Sequence, residues 1–221
     1  MNKKYFLSSF IMVFLLGFVS YKTTYSLFSD TAQSTGNVFS ASTEFPTSTP
    51  TPTPPTANHL VINEVMFNPD NPTCSQGEPN SEWIEIYNPT VSDVSLSGWS
   101  IHDNTASDAL PAVILPAGFF AIVTNCDQSE FQTNWPFPAG TVYIDIGSSI
   151  GSGLANGGDE VRLVDNSLQT VDHMSYGTNT DAFNPSVLIP VANHSLERDP
   201  DGVDTDTAAD FVDRTTPQPG L

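Results

Sequence analysis

Eight short segments between residues 59 and 176 constrain the fold of this chain most. Each has four to nine residues, is rich in β-branched and aromatic side chains, and is separated from the next by Asn, Asp, Gly and Pro. Such segments predict β-strands, and no apolar pattern with a 3.6-residue period indicates helices among them. The sequence therefore predicts an all-β sandwich. The predicted strands are residues 59–67, 82–88, 98–103, 112–115, 119–124, 141–146, 159–165 and 170–176.

The segment over residues 82–88 alternates in a way that assigns its two faces. Ile84 and Ile86 share one face, and Trp83, Glu85 and Tyr87 share the other. The isoleucine face is expected to pack in the core. The second face carries two aromatic rings beside a carboxylate, and we expect a loop to cover it.

The first 26 residues have the pattern of an export signal. Lys3 and Lys4 precede an apolar stretch over residues 5–21, and small residues around Ser26 fit a cleavage site after it. An uncleaved N-terminal membrane anchor is the alternative. The mature chain would then start with residues 27–45. Export predicts that the protein is extracellular or lies at the cell surface.

Residues 46–57 are nearly all Thr and Pro. Such a sequence lacks many backbone donors and has little apolar area to bury, so it predicts a disordered, extended linker. The globular part is expected over residues 58–221.

The charge of the chain limits its partners. The formal net charge is −19, and all three lysines precede residue 23. Removal of the signal leaves three arginines against 25 acidic residues, a net charge of −22. Nucleic-acid binding depends on Lys and Arg that neutralise phosphates. We therefore expect no nucleic-acid partner.

The chain has two cysteines, Cys74 and Cys126, both in polar, loop-like sequence. Outside the cytoplasm a disulfide between them is permitted. Neither has the close spacing or the basic neighbours of a reactive thiol. A structural disulfide is the interpretation we favour, although the sequence does not show that the two loops meet.

Alternating aspartates between residues 199 and 210 raise the question of calcium. Ca²⁺ prefers several oxygen ligands from a flexible loop, and Asp199, Asp201, Asp204 and Asp206 could supply them. The EF-hand register fails, because placing Gly202 sixth puts an alanine in the twelfth position. Two interpretations stay open: a weaker calcium site, or a solvated acidic connection between the last two segments of the domain.

Several of these stretches, read in order, resemble the lamin-tail domain family. The resemblance implies an immunoglobulin-like antiparallel sandwich that binds partners and has no catalytic residues. It covers a core over residues 58–178 and an acidic closing segment over residues 179–221. The matching stretches are residues 61–69, 82–90, 94–103, 114–123, 153–165, 170–177, 194–202 and 215–220.

The region around Ser26 has its own resemblance. The sequence "SLFSDTAQSTGNVFSAS", from Ser26 to Ser42, is similar to the cleavage region of camelysin-type and biofilm-matrix proteins, which a dedicated SipW-type signal peptidase releases. This resemblance implies export. It does not imply fibre formation, because a linker and a different domain follow here.

No coherent catalytic group is found in the sequence. Residues 147–151 match G-x-S-x-G around Ser149, but a nucleophile elbow needs a helix after the turn, and a flexible Gly-rich stretch follows instead. The four histidines are placed singly and fit no zinc spacing. We therefore predict no catalytic residues and no required cofactor, with calcium as an optional ligand.

The expected function is that of a non-enzymatic module of the cell envelope or the extracellular space. Its partner would be an envelope protein, an envelope polysaccharide or a second copy of the chain. The alternative, from a different class, is a secreted metal-dependent hydrolase of glycans or phosphodiesters. Carboxylates that converge in a cleft would distinguish the hydrolase.

Overall fold

A computed structural model describes residues 56–69, 74 and 77–221. The predicted export signal, the predicted cleavage site after Ser26 and most of the predicted linker lie outside these residues. The described part is built mainly of strands and has one α-helix, which confirms the all-β prediction. The strands are β1 (Val61–Met66), β2 (Trp83–Tyr87), β3 (Val94–Ser95), β4 (Ser100–His102), β5 (Ser107–Ala109), β6 (Ile114–Leu115), β7 (Phe120–Thr124), β8 (Val142–Asp145), β9 (Glu160–Val164), β10 (Thr170–Ser175), β11 (Ser195–Arg198) and β12 (Phe211–Arg214).

The strands form two main sheets that enclose one core. The larger sheet has the order β12-β11-β1-β2-β7-β8, the second has the order β10-β9-β4-β5, and β3 pairs with β6 separately. All pairings are antiparallel except that of β7 with β8. The core takes fully buried apolar side chains from both sheets, among them Ile62, Ile84, Val123, Ile101, Leu163 and Met174.

Every predicted strand segment contains an observed strand, whereas four strands and a helix were not predicted. The four are β3, β5, β11 and β12. The helix, α1 (Gln128–Asn134), buries a single residue, Phe131, so its sequence has no apolar period to detect. The helix is therefore an element that the search for a 3.6-residue apolar period did not detect.

A smaller apolar cluster lies on the outer face of the larger sheet. Trp83 is fully buried there against α1, with its ring 5.9 Å from that of Phe131. Cys74 and Cys126 are joined by a disulfide, with their Cα atoms 5.5 Å apart, and belong to the same cluster. The expected cover over the Trp83 face is present. It consists of this helix and the disulfide-linked loops.

The acidic closing segment contributes structure that the sequence did not indicate. β11 pairs with β1 and β12 pairs with β11, so both strands extend the larger sheet. The Asp-rich stretch is the hairpin loop between them and contains the 3₁₀ turn Ala208–Asp210. The interpretation as a solvated connection holds only in part, because Gly202, Val203 and Asp210 in this loop are buried.

Among the residues that the structure describes, no helix has the length and apolar character needed to cross a membrane.

Candidate binding surface

Arg198 organises the end of the domain where the β11–β12 hairpin closes. Its side chain is fully buried on β11, and its Nη2 donates to both carboxylate oxygens of Asp172 at 3.0 Å. Its Nη1 lies 3.2 Å from Asp204 and 3.3 Å from Asp210. The guanidinium also stacks over the ring of Phe211, 4.6 Å from the ring centroid. One buried cation thus neutralises part of the acidic loop from inside the domain.

Two further contacts fix the loop around Arg198. His59 Nε2 lies 3.2 Å from Asp204. This hydrogen bond lowers the pKa of Asp204 to about 2 and raises the pKa of His59. Asp210 accepts hydrogen bonds from the backbone N–H of Thr205 at 2.8 Å and from its hydroxyl at 2.6 Å. The loop is therefore tied to the domain at several points.

The four aspartates predicted to bind calcium face different protein partners. Asp199 lies 3.5 Å from Arg214, and Asp201 accepts a hydrogen bond from the Asn63 amide at 3.1 Å. Asp204 pairs with Arg198 and His59 as described, whereas Asp206 is exposed at the tip. In the described part of the chain, no three His, Cys, Asp or Glu side chains are grouped to hold a metal ion. Calcium binding stays a prediction, which melting curves with calcium and with chelator would test.

An open pocket of about 370 Å³ lies beside the hairpin loop. One wall is formed by Ala182, Phe183, Asn184 and Pro185, and the other by Asp206, Thr207, Ala208 and Ala209. Phe183, Pro185 and the three alanines make the lining largely apolar. Among the side chains that line the pocket, the only ionisable group is the Asp206 carboxylate.

The segment after the first pocket wall carries the most exposed group of apolar side chains close together in sequence. Leu188 is 85% exposed, Ile189 41% and Val191 65%. We call residues 188–191 the apolar loop. Its base is fixed at Val187, whose N–H donates to the carbonyl of Ser175 at 3.1 Å and whose carbonyl accepts from Gly177 at 2.8 Å. The loop is therefore presented to solvent from a rigid attachment.

Three glutamates stand side by side across the outer face of the larger sheet. Glu64 on β1 is in register with Glu197 on β11 and with Glu85 on β2, and all three are buried. The C-terminal tail contacts two of them, since the N–H of Gly220 donates to Glu85 and the backbone of Gln218 hydrogen-bonds to Glu64. Burial, together with the neighbouring carboxylates, raises the pKa of Glu64 to about 8 and raises the pKa of Glu85 well above its usual range.

This row predicts that the domain loses stability as pH rises. The folded state keeps the proton of Glu64 up to a pKa of about 8, whereas the reference pKa is 4.5. Between these values the folded state binds more protons than the unfolded state, so the free energy of unfolding falls with pH, by at most about 1.4 kcal/mol per pH unit for this group. Urea denaturation at several pH values between 5 and 8 measures the slope.

Two variants test whether the pH dependence of the free energy of unfolding comes from Glu64 and not from the overall negative charge of the chain. Glu64→Gln removes the titrating group and should make the slope shallower. Glu78→Gln changes an exposed glutamate that accepts a hydrogen bond from Asn156 at 2.7 Å, and we expect the slope to stay as in the wild type. Equal slopes in all three proteins would contradict the assignment.

The residues considered for catalysis are placed apart from one another. Ser149 lies in an irregular turn after β8, and the residues that follow it to β9 form turns, not the helix of a nucleophile elbow. Each histidine has a separate partner: His59 with Asp204, His102 with Ser100, His173 with Glu160 and His194 with Asp213. One of these contacts, Ser100 Oγ to His102 Nε2 at 2.9 Å, joins a hydroxyl to an imidazole, and none of the four places Ser149 beside a histidine.

The fold defines a structural class, an immunoglobulin-like β-sandwich. The sequence matches the model of the Lamin Tail Domain over residues 53–178, which is more than half of the chain, so the protein belongs to the lamin tail domain family. A comparison with curated proteins finds no match. The matched residues end before the pocket walls and the apolar loop, so these features belong to the part of the chain beyond the family match.

Sequence reasoning missed both Arg198 and the apolar loop. Arg198 follows Glu197 in a short charged stretch that looks solvent-exposed. The apolar loop did leave a signal, since five consecutive residues from Val187 to Val191 are apolar and include one proline. This run lies outside every predicted strand, and an apolar run without a strand indicates a surface site.

Proposed function

We propose that this protein is an exported, non-enzymatic module of the cell envelope or extracellular space, and that its sandwich binds an envelope protein through the apolar loop. Export is supported by the pattern of residues 1–26 and by the linker that follows. If the signal is not cleaved, residues 5–21 anchor the protein in the membrane. The family supports the binding or structural role.

The exposure of Leu188 and Val191 is the observation that carries this proposal. Aliphatic side chains in water gain free energy when a partner buries them, and grouped exposure on an otherwise polar domain marks an interaction site. The rigid base at Val187 keeps the loop from being reorganised on binding, which lowers the entropy cost of association. An apolar partner surface fits these side chains.

The experiment uses residues 52–221, which form a compact unit, immobilised and exposed to extracted envelope material. The test variant is Leu188→Asn, and the matched control is Leu168→Asn, since Leu168 is 82% exposed in a different turn. We expect a specific protein to bind the wild type and the control but not the test variant. Equal capture by both variants would contradict the assignment to the apolar loop.

The same experiment identifies other partners. Capture of a polysaccharide would identify a polysaccharide as the partner in place of an envelope protein. Association of the domain with itself at rising concentration would identify a second copy of the chain as the partner. Turnover of a glycan or phosphodiester by the pure domain, abolished by a single carboxylate substitution, would overturn the non-enzymatic assignment in favour of the hydrolase.

A further inference from the structure

The chain enters the domain beside the Asp-rich hairpin loop. Thr56 forms an isolated antiparallel bridge with Val203, and the N–H of Ala57 donates to the carbonyl of Gly202 at 2.8 Å. These contacts fix the position at which the preceding residues, Pro52–Pro55, reach the domain. They belong to the Thr/Pro-rich linker over residues 46–57 and lie outside the described residues.

The antiparallel direction of this bridge points from Thr56 toward the pocket. A continuation of the same pairing would bring residues before Thr56 alongside residues after Val203, that is, toward Asp204 to Asp206. Asp206 begins one of the two pocket walls. Four residues of polyproline II helix span about 12 Å, at about 3.1 Å per residue, and the three residues from Val203 to Asp206 cover a similar distance when extended. Pro52–Pro55 can therefore reach the pocket.

The chemistry of the pocket fits a proline-rich segment. Proline rings dock on apolar and aromatic walls, and a polyproline segment loses little conformational entropy when it binds. Phe183 and Pro185 form one such wall, and Ala208 and Ala209 leave space opposite. The sequence between Glu44 and Glu64 contains no Asp or Glu, so the segment is not repelled by Asp204 and Asp206.

We propose that this pocket binds Pro52–Pro55 of the same chain, so that the linker leaves the domain from the pocket instead of from Thr56. The contact extends the Thr56–Val203 bridge by one short polyproline turn. It fixes the direction in which the linker departs, and it keeps the apolar pocket lining out of water. The proposal does not depend on the partner of the apolar loop.

The test compares ¹⁵N-labelled residues 52–221 with residues 56–221 by NMR. Removal of Pro52–Pro55 should shift the amide signals of Phe183, Asn184, Ala208 and Ala209, while signals elsewhere keep their positions and show that the domain is folded. A capped Pro-Thr-Pro-Pro peptide should restore the shifts only at millimolar concentration, on the order of the effective concentration of a short tether.

Two substitutions make the test specific. Ala209→Trp fills the pocket from an exposed position, and in this variant removal of Pro52–Pro55 should no longer shift the pocket signals. Ala155→Trp, at another exposed alanine, should leave the effect intact. Shifts confined to residues 56–60 and 202–203 would overturn the proposal. A dependence of the pocket signals on the concentration of the 52–221 protein would also overturn the proposal, because the segment that occupies the pocket would then come from a second copy.

Discussion

Replacing Arg198 by methionine should destabilise the folded domain by about 3–5 kcal/mol, the cost of leaving buried carboxylates without their cation. Asp172 is buried and has the guanidinium at 3.0 Å from both of its oxygens. Burial raises the pKa of Asp172 while Arg198 lowers it, so loss of the arginine favours the protonated acid. Arg198 also donates to the carbonyls of Ile62 and Val203, at 2.9 and 2.7 Å, which would lose these partners. Urea denaturation measures the change.

The matched control is Arg162→Met. Arg162 is about one-third exposed and pairs with Glu160 at 2.9 Å, and His173 would keep its own hydrogen bond to Glu160 at 2.8 Å. We expect a loss below about 1 kcal/mol, as for exposed ion pairs. A loss of similar size in both variants would contradict the special role of Arg198.

A second substitution tests the cause of the loss. In the Arg198→Met background, Asp172→Asn removes the uncompensated carboxylate and should recover part of the stability. The same change in the wild type removes half of an ion pair and should be destabilising. The sign of the effect of Asp172→Asn is thus expected to reverse between the two backgrounds, as a double-mutant cycle measures. The same sign in both would show that the loss of Arg198 acts through packing alone.

The sequence predicted those strands that carry their own pattern. β1, β2, β7, β9 and β10 are rich in β-branched or aromatic residues, and each was found inside its predicted segment. β3 has two residues and β5 has three, too few for alternation to be detected. β11 and β12 have charged residues in half of their positions. β11 is placed in the sheet by its pairing with β1, which is distant in sequence, and β12 by its pairing with β11.

The sequence did not identify the cation that lies against the Asp-rich loop. Calcium and solvent were the two interpretations considered. The structure supplies Arg198, which immediately precedes Asp199 in the chain. Alternation along β11 places Arg198 and Glu197 on opposite faces of the strand. The face that carries Arg198 is interior only because β11 pairs with β1 and because Asp172 on β10 lies opposite it. These facts depend on the tertiary structure.

The helix and the outer apolar cluster show a similar limit. The start of α1 does carry a local signal, since Asp127 accepts a hydrogen bond from the N–H of Ser129 at 2.8 Å as its N-cap. Its only buried residue, Phe131, owes that burial to Trp83 and to the loops joined by the disulfide. The two cysteines suggested a link between loops, and the structure shows that this link closes a second core.

The disulfide is therefore expected to contribute about 4 kcal/mol to stability. Cys74 and Cys126 are 52 residues apart in sequence, and a cross-link of this length lowers the entropy of the unfolded chain by about that free energy at 25 °C. The double variant Cys74→Ala/Cys126→Ala should unfold at a correspondingly lower urea concentration. Trp83 and Trp135 lie in the same cluster as the disulfide. Their fluorescence therefore reports unfolding in the region from which the disulfide has been removed.

Reduction of the wild type separates the cross-link from the packing of the sulfur atoms. Treatment with a thiol reductant breaks the bond but keeps both side chains, so the reduced wild type should lose most of what the double variant loses. The double variant itself should not respond to the reductant, because it contains no thiols. If mass measurement shows two free thiols while the unfolding midpoint is unchanged, the cross-link does not stabilise the domain. The two loops would then be held together by the aromatic cluster around Trp83 and Phe131 alone.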